Sequence, residues 1–133
     1  MPKREGFSTI TPYMMFDDAL AAFEYYKKAF GAIEISAQKD ANGILRHAEL
    51  RIGESPIMMA TAVPEYAFLK SPAAYGGSPM QIFVYCDDAD AWFAQAIEHG
   101  AKEVMPMSDQ SYGRTGGVED PFGYTWWITT HKE

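Results

Sequence analysis

The chain has 133 residues, 47% of them hydrophobic and 22% charged, which is the balance of a globular domain and excludes a disordered or fibrous chain. Eleven Lys and Arg against eighteen Asp and Glu leave a net charge of −7. No basic cluster stands ready to displace counterions from phosphates, so nucleic acid is set aside as a partner. A chain of this length buries roughly 68% of its unfolded surface and needs no staples; its one cysteine, Cys86, forms no internal disulfide. No apolar run approaches the ~20 residues that span a bilayer, so no membrane partner is expected. Met1 to Gly6 lead into no apolar signal segment, and the expectation is a soluble, cytoplasmic, single-domain protein.

In chain order, a β-rich run from Ser8 to Phe16 comes first. Asp17 and Asp18 follow; the pair imitates a catalytic dyad, but its place before a helix assigns it to capping the first free amides. Ala19, Ala22, Phe23, Tyr26, Ala29 and Phe30 then recur on one helical face. Gly31 stops that helix, since glycine accepts the left-handed C-terminal geometry without penalty. Three strands are predicted next, over Ile33–Gln38, Leu45–Ile52 and Pro56–Thr61, with Asp40-Ala41-Asn42-Gly43 as turn chemistry between the first two. The middle strand alternates strictly, so its apolar members should meet the helix and leave His47, Glu49 and Arg51 on the other face. Val63 to Ser78, punctuated by proline and glycine, reads as a connection.

The chain then repeats itself. Shifted by 70 residues, Asp17-Asp18-Ala19-Leu20-Ala21-Ala22-Phe23 lies over Asp87-Asp88-Ala89-Asp90-Ala91-Trp92-Phe93, with five identities in seven positions. Glu49 and Gly53 fall over Glu119 and Gly123 at the same offset, and Gly31-Ala32 over Gly100-Ala101 with one deletion. The second copy therefore reads as a strand over Met80–Cys86, a helix with Ala89, Trp92, Phe93, Ala96 and Ile97 on one face, then strands over Glu103–Met105, Thr115–Glu119 and Tyr124–His131. Asp120-Pro121-Phe122-Gly123 has the composition of a type I turn. Gly113-Arg114-Thr115-Gly116-Gly117 lacks the Gly-Lys-Ser/Thr ending of a phosphate loop and reads as a flexible rim, from which Arg114 could meet an anionic group. The order is βαβββ twice: an α+β fold with one module over about 7–62, a connection over 63–78 and a second module over about 79–131.

This layout resembles the vicinal-oxygen-chelate superfamily, which contains glyoxalase I, extradiol dioxygenases, and fosfomycin and bleomycin resistance proteins. Phe23-Glu24-Tyr25-Tyr26-Lys27-Lys28-Ala29-Phe30-Gly31 is similar to the family's helix end, and Asp120-Pro121-Phe122-Gly123-Tyr124 to its turn. Tyr112-Gly113-Arg114 and Trp126-Trp127-Ile128-Thr129-Thr130-His131 resemble the PhnB-like branch more particularly. The resemblance implies two tandem modules forming a curved mixed sheet around a cleft, helices outside, and commonly a homodimer. It also implies four metal positions, which fall here on Thr11, Gln81, Trp127 and Ile57 (or Met58 if the hairpin is a residue longer). A divalent cation needs several N, O or S donors, and of these four only Gln81 is suited, so no metal and no cofactor are expected.

Strand alternation supplies a lining instead. Thr9, Tyr13 and Met15, then Phe83 and Tyr85, should face inward with Thr11 and Gln81. On the last strands Ile57, Met59 and Thr61, then Thr125, Trp127, Thr129 and His131, should do so too. The expected function is the binding and sequestration of a flat organic molecule in an aromatic trough. Tyr13, Phe83, Tyr85 and Trp127 would stack on it, while Gln81, His47, Glu49 and Arg114 would meet its polar groups. The alternative is an enzyme, a metal-dependent or acid–base lyase or dioxygenase using His47, Glu49 and Gln81, since a histidine beside a carboxylate titrates usefully. His47 and Glu49 read equally well as a solvated strand face. The methionines read as core filling, Cys86 as a buried inert thiol, and His131 has no assigned role.

Overall fold

The computed structural model describes residues 2–133, and in it the chain divides into two compact units, the first ending at Ala74 and the second starting at Tyr75. The first contains β1 (Tyr13–Phe16), α1 (Ala19–Phe30), β2 (Ile33–Lys39), β3 (Leu45–Ile52) and β4 (Ser55–Thr61); a one-turn helix α2 (Pro72–Tyr75) follows in the connection, where the first unit gives way to the second. The second contains β5 (Gln81–Tyr85), α3 (Ala89–Glu98), β6 (Lys102–Gln110), β7 (Gly113–Glu119) and β8 (Thr125–His131). The sheets share one topology, β1-β4-β3-β2 and β5-β8-β7-β6, in which the first and last strands run parallel and the other neighbours antiparallel. Two βαβββ modules are thus present, as the repeat requires. Among the described residues no helix is long and apolar enough to cross a membrane.

Each long helix starts on the second Asp of its pair. Asp18 accepts the amide of Ala21 at 3.2 Å and Asp88 that of Ala91 at 3.1 Å, satisfying amides the helix leaves open. A threonine of the last strand takes the first amide in both modules: Ala19 N–H donates to Thr61 Oγ1 and Ala89 N–H to Thr130 Oγ1, at 3.1 and 2.8 Å. Gly31 ends α1 at φ 64, the left-handed conformation expected of it. The face read from the sequence is the buried one: Ala19, Ala22, Phe23, Tyr26, Ala29 and Phe30 pack on Met14, Phe16, Ala48, Leu50, Ile57 and Met59.

Four expectations are corrected. The first strand begins at Tyr13 rather than Ser8, because Pro12 has no N–H for the ladder and contributes only its carbonyl, which accepts from Met58 N at 2.9 Å. Thr11 therefore lies outside the strand. The facing of β4 is opposite to that predicted: parallel pairing sets Tyr13 beside Met58 and Met15 beside Ala60, so Ile57, Met59 and Thr61 turn to the helix. β6 is longer than Glu103–Met105, carrying Pro106 as an edge strand with register shifts on both sides of Met105. The glycine-rich rim is in fact β7, an internal strand whose residues 115–118 are buried.

The glycines of β7 are packing requirements. A Cβ on Gly116 would strike Met107 Sδ and the Phe93 ring, and one on Gly117 would come within 2.7 Å of the Trp127 ring. Beyond β7, Asp120 organises the turn into β8. Its Oδ1 accepts the amides of Phe122 and Tyr124 at 2.9 and 3.0 Å, and its Oδ2 accepts the buried Trp126 indole N–H at 2.8 Å. A buried donor left without its partner costs about 1–3 kcal/mol. Asp120→Ala should therefore destabilise the protein by about 3 kcal/mol, read from urea unfolding, with part of that loss absent when Trp126→Phe is already in place.

Candidate functional site

The open face of the second module, away from α3, is aromatic. Alternation along β5 places Gln81, Phe83 and Tyr85 there, and pairing with β8 sets Thr125, Trp127 and Thr129 beside them. Phe83 and Tyr85 are 47% and 65% exposed, and Tyr112, at the β6–β7 turn, is 47% exposed. Their rings form a chain: Phe83 to Tyr85 at 5.1 Å between centroids, Phe83 to Tyr112 at 6.4 Å, and Tyr85 to His131 at 6.0 Å. A pocket of about 580 Å³ opens among Gln81, Phe83, Met105, Pro106, Ser108, Gln110, Tyr112, Thr115, Gly116 and Trp127. Trp127 packs against the Cα of Gly117, where any side chain would collide with the ring. Its indole N–H donates to Gln81 Oε1 at 2.7 Å.

Arg114 stands apart from this face. It pairs across the sheet with Thr130, on the α3 side, and its guanidinium binds Asp90 at 3.2 Å and Asp109 at 3.5 Å. Those carboxylates hold its pKa above the usual arginine value, the Asp90 hydrogen bond first among them. Cys86 sits half-buried before α3, and burial pushes its thiol up to about 11, the property of an inert cysteine.

The open face of the first module is polar and wired. Tyr13, Met58 and Glu49 form one row across β1, β4 and β3. Glu49 is not solvated but buried, with 3% of its surface exposed. Ser36 donates to its Oε1 at 3.0 Å, His47 Nε2 lies 3.0 Å from its Oε2, and the Arg4 guanidinium approaches to 2.8 Å. Despite burial, which alone would raise it, these hydrogen bonds and the Arg4 charge hold the carboxyl below its ordinary pKa. The other imidazole nitrogen, Nδ1, lies 2.9 Å from the Tyr13 hydroxyl. A carboxylate only accepts, so His47 Nε2–H is the donor to Glu49, and with Nδ1 bare the Tyr13 hydroxyl donates to it. Burial, and secondarily the Glu49 charge, raise the Tyr13 pKa, although half the side chain (52%) is exposed. Tyr13 also borders a pocket of about 400 Å³ with Met15, Arg46, Ala60, Thr61, Val63, Tyr66, Phe68 and Leu69.

The structure thus brings Tyr13, His47 and Glu49 into one chain in the first module, and Gln81, Phe83, Tyr85 and Trp127 onto one face of the second. Sequence reasoning missed Arg4 and Phe7, whose ring lies 4.3 Å under the Arg4 guanidinium, because a segment before the first strand carries no periodic signal, and it missed Ser36 because only the β2–β3 register sets that hydroxyl beside Glu49. It missed Met105, Ser108 and Gln110 because Pro106 hid the length of β6. The donor set does not fit a divalent cation. Thr11 lies off the strand, Trp127 and Met58 offer a committed indole and a thioether, and the Gln81 carbonyl oxygen already accepts the indole proton. Among the described residues no three of His, Cys, Asp and Glu gather where they could hold a metal ion.

Two βαβββ modules, each with one helix-covered and one open sheet face, define a tandem-repeat scaffold. A sequence model of the Glyoxalase/Bleomycin resistance protein/Dioxygenase superfamily matches residues 9–128, and the chain belongs to that superfamily. It is 39% identical over 120 residues to an uncharacterized protein of Mycobacterium tuberculosis, covering 88% of this chain and 71% of that one. The crystal structure of TioX from Micromonospora sp. ML1 is similar at 26% identity and a TM-score of 0.73, over 94% of this chain and 99% of that one. The PhnB protein from Bacillus cereus shares the fold at 20% identity and a TM-score of 0.73, over 92% and 99% of the two chains.

The Glu49 environment has a measurable consequence. A carboxyl whose folded pKa lies below its unfolded value stabilises the fold above the unfolded value, and that contribution fades as pH falls toward the folded one. The stability difference between the natural protein and Glu49→Gln should shrink on acidification through and below the ordinary carboxylate range, read from urea midpoints between pH 7 and pH 3.

Proposed function

We propose that this protein binds a flat, small organic molecule on the aromatic face of its second module and acts by sequestering it. The observation that carries the reading is the exposure of Phe83 and Tyr112 on a pocket of about 580 Å³ that Trp127 also lines, with exposed Tyr85 beside Phe83. Monomeric proteins seldom leave contiguous apolar surface in water, and a concave aromatic wall with a few polar groups suits an organic ligand better than a flat protein partner. Stacking on Phe83, Tyr85 and Trp127 would supply affinity, and Gln81 orientation. A homodimer belongs to the same reading, to be measured by sedimentation.

Fluorene, a flat three-ring hydrocarbon, is a suitable probe. Trp127→Ala and Phe83→Ala should each weaken its binding by about tenfold or more, the loss typical of a buried aromatic anchor. Undiminished affinity in both variants, measured by equilibrium dialysis, would remove the pocket from consideration.

A second reading rests on the Tyr13–His47–Glu49 chain. A phenol hydrogen-bonded to an imidazole that is itself held by a buried carboxylate can pass a proton to or from a ligand oxygen, the step an acid–base lyase requires. Deuterium uptake from heavy water into pyruvate or dihydroxyacetone tests it. Protein-dependent exchange that falls about 100-fold or more in His47→Gln would support catalysis, and exchange no faster than in buffer would sink it.

A further inference from the structure

Two hydrogen bonds inside the second-module pocket leave donor groups with protons to offer, and this narrows the ligand. Trp127 Nε1 can only donate, so its 2.7 Å bond to Gln81 fixes which end of that amide is used. The carbonyl oxygen of Gln81 already holds the indole proton, and its NH2 group, with two donors, is turned away from the indole. A second donor lies on β6: Ser108 Oγ accepts from Gln110 Nε2 at 3.0 Å and keeps its own proton to donate. None of the pocket's lining residues is Asp, Glu, Lys or Arg, so nothing there would compensate a ligand charge as it loses water.

From this we infer that the pocket takes an uncharged planar carbonyl compound, with its ring against Trp127 and its oxygen accepting a proton from the Gln81 amide. The inference rests on the aromatic-face reading above and adds the ligand's chemical class. Gln81 is a specificity determinant here. A buried acceptor in the ligand finds a donor, whereas a ligand N–H directed at the same spot meets another N–H and is left unpaired. The Trp127–Gln81 pair links the two properties of the ligand, since the residue that offers the stacking surface also sets the polarity of the amide beside it.

Three tricycles of nearly equal shape separate the possibilities: fluorenone, which carries a ring carbonyl, carbazole, which carries an N–H, and fluorene, which carries neither. Equilibrium dialysis against the full chain should give fluorenone about a tenfold advantage over fluorene, the worth of one well-made hydrogen bond, and carbazole none. Gln81→Glu keeps an acceptor for the indole but loses the amide donors; it should erase most of the fluorenone advantage over fluorene. In Trp127→Phe the amide is free to turn, so the ratio of fluorenone to carbazole affinity should narrow even though all three ligands weaken. Fluorenone binding no tighter than fluorene, or unaffected by Gln81→Glu, overturns the carbonyl assignment while the aromatic seat stands. Binding of none of the three overturns both.

Discussion

The parallel pairing of first and last strand in each module is the constraint on which the rest of this structure depends. Side chains alternate along a strand with a period of two, so a one-residue slip in that pairing would exchange the helix-facing and open-facing sets wholesale. In the second module the register Phe83 beside Trp127 beside Gly117 puts two rings and one missing side chain in a single row. Ile82, Val84, Trp126, Ile128 and Val118 then belong to the other face, where α3 covers them. The glycine is as necessary as the rings, because a Cβ at that point would occupy the volume of the Trp127 indole.

The two modules use the same topology for different ends. In the first, the helix side takes the large aromatics: Phe16, Phe23, Tyr26 and Phe30 are nearly or wholly buried, with Tyr26 and Phe30 stacked at 5.9 Å. Its open face is closed by a hydrogen-bonded network on Glu49. In the second, α3 buries chiefly Ala89 and Ala96, and aromatic area is left in water on the opposite face. Apolar burial is what stabilises a fold, so aromatic surface left exposed is surface the second module does not use for its own stability. It is available for association.

Both modules also bury a carboxylate, and both do so with every oxygen partnered. Asp120 receives two amides and an indole N–H, while Glu49 receives a hydroxyl, an imidazole and a guanidinium. A charge removed from water is tolerable only on those terms. The Glu49 network differs in having an exposed terminus, the Tyr13 phenol, through which a buried charge is felt at the surface. The Asp120 bonds run to its own turn and to the start of β8 and hold that turn together.

The repeat, the helix faces, the capping aspartates and the order of strands were legible in the amino-acid sequence, since each rests on periodicity or on chemistry between near neighbours. Once the family resemblance had set the Thr11 and Gln81 positions inward, the open-face positions of Tyr13, Phe83, Tyr85 and Trp127 followed from the same period of two. Other features depended on which strands lie side by side. Register decided that Met58 rather than Ile57 shares a face with Tyr13, and that Arg114 turns toward Asp90. Only the folded chain could carry Arg4 across to Glu49, forty-five positions away, or bring the Trp127 N–H to Gln81, forty-six away. Local pattern determines what a segment prefers to be; which donor meets which acceptor is settled when distant segments share the exclusion of water.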